Sequence, residues 1–528
     1  MKSFINASIL LFFIFCNLTA PAQNLQINSK LEKIKIQEDS SFVREISVEF
    51  KRSAEPRFYP IIFDTELEQV TDIKLFENKG RRLKPLPARN ISEEDIKLDY
   101  IASKKLKVVE IPSEMEVTLT YLISCKELMY FSSLEFFSYN QIDTLKYQIK
   151  VPDKFTFTHN TVYKDSLSFF AIDSIATASG AEWNIKVSPK IVEPDPMALF
   201  GIYRNMTVPF MRTLVIPSSY NNKPTSYMND WYFTNIAPQK GLDTSVKQKL
   251  DELTANVTEP AEIVNIIYSY VKSNFKYVAI EIGMGAFIPS PANEVYLNKQ
   301  GDCKDLSNFL SEALKYKGIE SDIALAATFN HISDCDFPSL SSANHVIGIA
   351  YINGETILLD PTDPIHMEGT PVQSLQGRTI LIVNANGGSF YKVNGFSPQQ
   401  NEIVYNLNLK IDSNDKLIKG TFAIDYKGIS GNYLNRIYNS EGKKEFAEFA
   451  DTFYDEVFGN QVISNLTVTK ESNKLQFNGN IAITGKTFDD GPNKYLFIDF
   501  LPRLIETESR EKLMEGTYLN NPFNKKVL

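Results

Sequence analysis

Cysteine is scarce. The chain has 4 in 528 residues, and Cys16 falls in an N-terminal apolar run, which leaves Cys125, Cys303 and Cys335. So small and odd a number excludes a disulfide framework as the organising principle of the fold. At least one thiol is then free or paired elsewhere. Positive charge is not in excess either. Lys and Arg number 55 against 64 Asp and Glu, the formal net charge is −9, and no basic stripe is visible. An acidic chain repels phosphate backbones, so nucleic acid is not an expected partner. Beyond the N-terminus no segment reaches eighteen apolar residues, so no transmembrane segment is expected in the mature chain. Internal repeats and low-complexity tracts are also missing.

What is present is the composition of a folded protein. Apolar residues make up 43% and charged residues 23%, which argues against disorder. The 36 Phe and 25 Tyr suit strands. The length suggests three domains. At the N-terminus, Lys2 precedes a mostly apolar run from Ala7 to Cys16, and Ala20-Pro21-Ala22 follows. This is the pattern of a signal peptide over 1–22, with the mature chain starting at Gln23 and exported to the periplasm or cell envelope, or secreted. The bulky Phe15 ahead of Cys16 speaks against a lipid anchor.

Residues 23–235 read as a β-rich, sandwich-like domain. Ser41–Phe50 largely alternates polar and apolar, and Lys105–Glu110 and Glu116–Tyr121 behave similarly. Near Gly241 the period changes. Asp243–Thr254 and Pro260–Ser273 show helical spacing, with Ile263, Ile266, Ile267, Tyr270 and Val271 recurring at steps of three and four. A second, central domain is expected over 240–385. Alternation returns in 386–528 at Val404–Ile411, Leu417–Tyr426, Ser464–Lys470 and Leu475–Ile483, interrupted by a helical stretch near Gly428–Phe458.

Candidate chemistry lies in the central domain. A helix is expected to start at Gly301-Asp302-Cys303-Lys304-Asp305, with Leu306, Phe309, Leu310, Ala313 and Leu314 as its apolar face and Gly318 as its stop. Cys303 lies three residues before Leu306, on the same face and in the first turn. The positive end of the helix dipole there favours the thiolate, the nucleophilic form. A buried, inert cysteine is the plain alternative. Downstream, Asn344-His345 opens an apolar run ending at Ile352. Asn353-Gly354 is a strong hairpin signal, and Glu355–Leu359 leads to Asp360. A two-residue turn puts Ile352 opposite Glu355, which makes His345 and Asp360 diagonal neighbours on one face. Diagonal positions lie about 7–8 Å apart at the backbone, within reach of a histidine–carboxylate hydrogen bond. Such a carboxylate orients a general-base imidazole and stabilises its protonated form. Each residue also has an ordinary reading: His345 at a solvated strand edge, Asp360 starting an Asp-Pro turn.

These three segments, in the order Cys, His, Asp, resemble the transglutaminase-like superfamily over about residues 240–385. Gly301–Asp305 resembles its nucleophile motif, Asn344-His345-Val346 its base strand, and Leu359-Asp360-Pro361-Thr362 its acid strand. The surroundings resemble bacterial envelope proteins with a β-rich domain before the core and another after it, and Glu368-Gly369 and Gly377-Arg378 resemble markers just past the core. The resemblance implies an α+β multidomain chain: an N-terminal β-sandwich-like domain, a papain-like core with a helix on an antiparallel sheet, and a C-terminal β-rich domain. In the family that last domain runs on past the point where this chain stops, so an incomplete one is expected. The implied chemistry is that of a cysteine hydrolase or acyltransferase acting on peptide or protein amides through a thioester. Cys303, His345 and Asp360 would be its catalytic residues, with no cofactor and no metal. The different-class alternative is a non-catalytic peptide- or protein-binding envelope protein on a degenerate version of the same fold.

Five further readings concern nearby residues. The backbone N–H of Cys303 is a candidate oxyanion donor; the Tyr277 hydroxyl is a weaker one, with a core aromatic as its plainer reading. His331, Asp334, Cys335 and Asp336 lie close together but match no standard metal-ligand spacing. Cys335 could bridge to Cys303. His366 and Asp363 could stand in for His345 and Asp360, although Asp363 lies in a Pro-flanked turn. Gly283-Met284-Gly285 is too short for a phosphate loop.

Overall fold

The computed structural model describes residues 25–496 other than 81, 88–90, 96–103, 139, 163–169, 192–208, 279–282, 330, 332, 413–416, 440–445, 447–460, 472–473 and 486, together with 526–527. The expected signal peptide over 1–22 lies outside the described residues. The chain separates into two compact units, one of Met1–Asn353 with Thr379–Tyr391 and one of Gly354–Arg378 with Lys392–Leu528. Among the described residues no helix is long and apolar enough to cross a membrane.

The first unit begins with β structure, and its strands follow the period-2 rule. In Phe42–Phe50 the side chains of Phe42, Ile46, Val48 and Phe50 are buried while Glu45 and Glu49 are exposed. This strand lies within an eight-stranded sheet in the order Phe170–Thr177, Gly180–Val187, Gln141–Pro152, Gln26–Ile36, Phe42–Phe50, Val117–Cys125, Glu68–Lys79, Arg82–Pro85. All neighbours are antiparallel except Gln26–Ile36 and Gln141–Pro152, which run parallel. Two smaller three-stranded sheets pack on it. Tyr59, Ile61, Phe63, Val109 and Ile111 of one meet Ile46, Val48, Val117 and Leu119 in a single cluster. Phe155, Phe157, Met211 and Val215 of the other meet Tyr147, Ile149, Ile185 and Val187. Opposed sheets with interdigitated inner faces make the sandwich.

Strand Phe210–Pro217 joins this β region to the core. Seven of its eight residues are buried, because both faces are covered. Met211 and Val215 point into the sandwich; Leu214 and Ile216 point the other way, into a cluster shared with Ile323, Leu325, Val346 and Leu381. Arg212 has the parity of the second pair.

Helix α1, Pro224–Ile236, follows at once, where continued β structure was expected up to 235. Its sequence hides it. Asn229 and Tyr232 are buried along with Met228 and Ile236, so the buried side mixes polar and apolar residues and no apolar stripe appears. Helices α2 (Thr244–Leu253), α3 (Pro260–Asn274) and α4 (Ala292–Asn298) precede α5, Cys303–Tyr316. In α5, Leu306, Phe309, Leu310, Ala313 and Leu314 are at most 1% exposed. Several of its polar residues are buried too, and they have partners. Asn308 Nδ2 donates to Gln239 O at 3.0 Å, and Ser311 Oγ accepts from Ser321 Oγ at 3.1 Å. The helix packs on an antiparallel sheet in which Ser321–Ala326 lies between His345–Ile352 and Thr379–Val383. The register pairs Ala326 with His345 and Ile323 with Val383.

The second unit contains strand Glu355–Leu359 and a sheet in the order Gln461–Glu471, Lys474–Thr484, Leu417–Lys427, Glu402–Asp412, Lys526–Val527. Ile418, Phe422, Ile424 and Tyr426 alternate into its core against Leu475, Phe477, Ile481 and Ile483, and Leu434 and Phe446 join them. Residues 428–439 are helical; most of the remainder of the stretch expected to be helical, to 458, lies outside the described residues. The chain is thus α+β and multidomain, with β-rich N- and C-terminal regions and a central helix-plus-sheet core.

Candidate active site

Cys303 is the first residue of α5, and the start of that helix is tightly specified. Asp302 is the N-cap; its carboxylate accepts from the backbone N–H of Lys304 at 3.1 Å and of Asp305 at 3.2 Å. Asp305 replies, with Oδ2 accepting from the Asp302 N–H at 3.1 Å, which closes a capping box. Its Oδ1 accepts from the Ser290 N–H at 2.7 Å, fixing the preceding loop to the helix start. Among the described residues no acceptor takes the Cys303 N–H itself. Asp302 and Lys304 are each 3% exposed and form a buried ion pair. Burial raises the Asp302 carboxyl, with Lys304 opposing that shift. Gly301 has no room for a side chain, since an added Cβ would stand 2.6 Å from Asp305 Cβ.

The three described cysteines differ in setting, and all are free thiols, so Cys303 and Cys335 form no bridge. Cys125 and Cys335 are buried, and burial pushes their thiols up to about 11 and about 12. Cys303 is half-buried, packed against a cluster that contains Cys335 and Tyr232. Burial raises the Tyr232 phenol well above its usual range, and Cys303, Asp302 and Asp305 add to the shift.

His345 opens its strand and is half-buried. Its segment and α5 are tied together: Ser307 Oγ donates to Val346 O at 3.1 Å. Ser307 is four residues after Cys303, one helical turn along the same face, and Val346 adjoins His345. The Asn344 N–H donates to Ala326 O at 3.0 Å, and Asn344 Oδ1 accepts from the Thr328 N–H at 2.9 Å, so the strand start is pinned from its own side chain. The next turn has Asn353 at φ 52° and Gly354 at φ 81°, the left-handed pair that an Asn-Gly type I′ turn requires.

Asp360 belongs to the second unit. It is 2% exposed. Its Oδ1 accepts from Thr362 N at 3.0 Å, Thr362 Oγ1 at 2.8 Å and Asp363 N at 3.2 Å. The carboxylate therefore does start the Asp-Pro turn, and that turn holds its orientation. The rival pair is otherwise engaged. His366 Nε2 lies 2.8 Å from Thr370 O, and Asp363 Oδ1 accepts from Ile365 N at 2.8 Å.

The remaining candidates have structural partners. His331 Nδ1 lies 3.1 Å from Ser333 O and Asp334 Oδ1 accepts from Cys335 N and Thr379 N at 2.9 and 2.8 Å. Asp336 pairs with Arg212 at 2.7 Å. Tyr277 is not a core aromatic; it is 48% exposed, in a two-residue strand paired with Gln300–Gly301. The sequence reading missed the capping box, although Asp302 and Asp305, three apart, were its signal. It also missed Tyr232, which belongs to an unrecognised helix and left no local signal.

Residues 247–361 match the family model of the transglutaminase-like superfamily. A crystal structure of a candidate protease from Parabacteroides distasonis aligns with 87% of this chain and 93% of its own, at a TM-score of 0.52 and 11% identity. That likeness is one of fold. A candidate cysteine protease from Cytophaga hutchinsonii aligns with 67% of this chain and 86% of its own at 10% identity, with a TM-score of only 0.20. No curated protein matches the chain. The helix-on-sheet core defined by α5 and the His345 strand is thus a transglutaminase-like core, spanning residues 247–361 and flanked by β-rich regions.

Proposed function

We propose that the protein is an exported cysteine enzyme that cleaves or transfers amide bonds, with Cys303 as nucleophile, His345 as general base and Asp360 as the carboxylate that orients it. The observation that carries this reading is the Ser307–Val346 hydrogen bond at 3.1 Å. It joins the turn of α5 that begins with the half-buried Cys303 to the residue next to His345.

The chemistry follows from those roles. His345 takes the thiol proton, and the sulfur attacks the amide carbonyl carbon. The tetrahedral oxyanion is stabilised by the N–H of Cys303 at the helix start. Collapse breaks the C–N bond as His345 returns the proton to the departing amine, leaving a thioester on Cys303. Water, deprotonated by His345, then releases the acid and restores the thiol; an amine in its place gives a new amide. Peptides or proteins are the substrate class. Export rests on the Lys2, Ala7–Cys16 and Ala20–Ala22 pattern, and the cleaved N-terminus of the mature protein, expected at Gln23, tests it.

The test is capture by a library of electrophilic amides, read as intact mass and peptide map, on the parent and on Cys303→Ala. A mass adduct on Cys303 that is absent from the variant supports the enzyme. Equal labelling of both, or none on Cys303, sinks it.

A further inference from the structure

We infer that α1 and two neighbouring segments form an acyl-side subsite that selects an aromatic side chain next to the amide attacked by Cys303. The inference rests on the proposed function for the role of Cys303, but the subsite is a binding surface and can be measured without catalysis.

Tyr130, Trp231, Phe287 and Cys303 come from four separate segments. All four are half-buried, and all pack on the same buried cluster. The rings touch one another: Tyr130 meets Trp231 edge-on at 6.1 Å and Phe287 at 5.2 Å. Two ties bring this wall to the thiol. Phe287 is three residues before Ser290, whose N–H is held by Asp305 at 2.7 Å, in the first turn of α5. Trp231 adjoins Tyr232, which lies in the buried cluster that Cys303 packs against.

A wall of rings could be mere packing, but its polar atoms say otherwise. Trp231 Nε1 and the Tyr232 hydroxyl are both buried, and neither has an acceptor among the described residues. Buried indole and phenol groups ordinarily find partners. Two unpaired donors on consecutive residues beside a nucleophile match the carbonyl groups of a bound peptide. The rings match an aromatic side chain, through edge and stacked contacts. Glu127, whose carboxylate caps the turn that carries Tyr130, disfavours an acidic side chain in the same place.

Affinities of blocked dipeptide amides, N-acetyl-X-Gly-amide with X as Phe, Ala or Glu, are measured by calorimetry on the full chain carrying Cys303→Ala. Phe is expected to bind at least about tenfold tighter than Ala, with Glu weakest. Adding Trp231→Ala is expected to bring Phe and Ala within about twofold. Trp231→Phe, which keeps a ring and loses the N–H, weakens all three by roughly fivefold and keeps their order. Circular dichroism and a thermal melt check that both variants fold; if Trp231→Ala does not, Trp231→Phe alone decides. Equal affinity for Phe and Ala in the parent background, a Phe preference that survives Trp231→Ala, or no weakening in Trp231→Phe overturns the subsite. Iodoacetamide labelling of Cys303 in the native protein reports separately on the enzyme reading.

Discussion

Arg212→Ala is expected to loosen the approach to His345 from a position on the β region. The Arg212 side chain is 4% exposed and spans from strand Phe210–Pro217 to the loop leading into the His345 strand. Nη1 donates to Asp334 O at 2.6 Å, to Asp336 Oδ1 at 2.7 Å and to Ser342 Oγ at 3.4 Å; Nη2 donates to Asn160 Oδ1 at 2.5 Å. The guanidinium also lies 5.3 Å from the centre of the Phe337 ring. Asp336 is 55% exposed, so its pairing is worth under about 1 kcal/mol. The buried bonds to the Asp334 carbonyl and Asn160 contribute about 1.5–3 kcal/mol each. Removing Arg212 Nε, buried with no partner among the described residues, returns about 1–3 kcal/mol. The net loss is about 3 kcal/mol. Arg212→Lys keeps the charge without the planar fork and is expected to recover under half of it. Urea unfolding measures the loss, and hydrogen exchange locates it. Amides of 333–344 are expected to exchange faster, while those of the Gln26–Ile36 strand keep their protection. A loss below about 1 kcal/mol, or uniform exchange changes, would refute the reasoning.

Other perturbations test other parts of the structure. Gly301→Ala forces Asp305 away and opens the capping box, costing about 2–3 kcal/mol in thermal or urea unfolding; a neutral result contradicts the packing at the helix start. Glu32 gives a pH test. Burial alone would raise its carboxyl, but Arg44 and Lys30 outweigh that and hold it at about 2. A depressed carboxyl contributes stability above its unfolded value of about 4.3 and loses it as pH falls to about 2. Glu32→Gln is therefore expected to cost about 3 kcal/mol at pH 7 and far less near pH 2 in urea titrations at each pH; a pH-independent cost contradicts the charge network. In a native thiol count at pH 8, Cys303 is expected to label ahead of Cys125 and Cys335, whose burial keeps them protonated. Fast labelling of Cys335 would contradict its placement.

Much of the core was legible because local rules suffice there. The α5 apolar face, the stop at Gly318 and the Asn353-Gly354 turn are each written in a few adjacent residues. The strands of both β-rich regions declared themselves by alternation. What stayed hidden depends on distant partners. Helix α1 buries Asn229, which exchanges hydrogen bonds with Asn384, 2.9 Å to its carbonyl and 3.0 Å from its N–H. A polar residue satisfied so far along the chain blurs the helical stripe. Arg212 reads as one polar residue in an apolar strand until the loop at 334–342 is folded against it. Trp231 and Tyr130 lie about a hundred residues apart, and no spacing rule joins them.

The proposed chemistry needs a reactive thiol at the head of α5 that depends on the imidazole of the adjoining strand. Iodoacetamide alkylation of Cys303 at pH 7, followed by peptide mapping in the parent and in His345→Ala, measures that dependence. The expected result is alkylation at least about tenfold faster than free cysteine in the parent, with that excess lost in His345→Ala. Parent and variant reacting alike, at the rate of free cysteine, would contradict it.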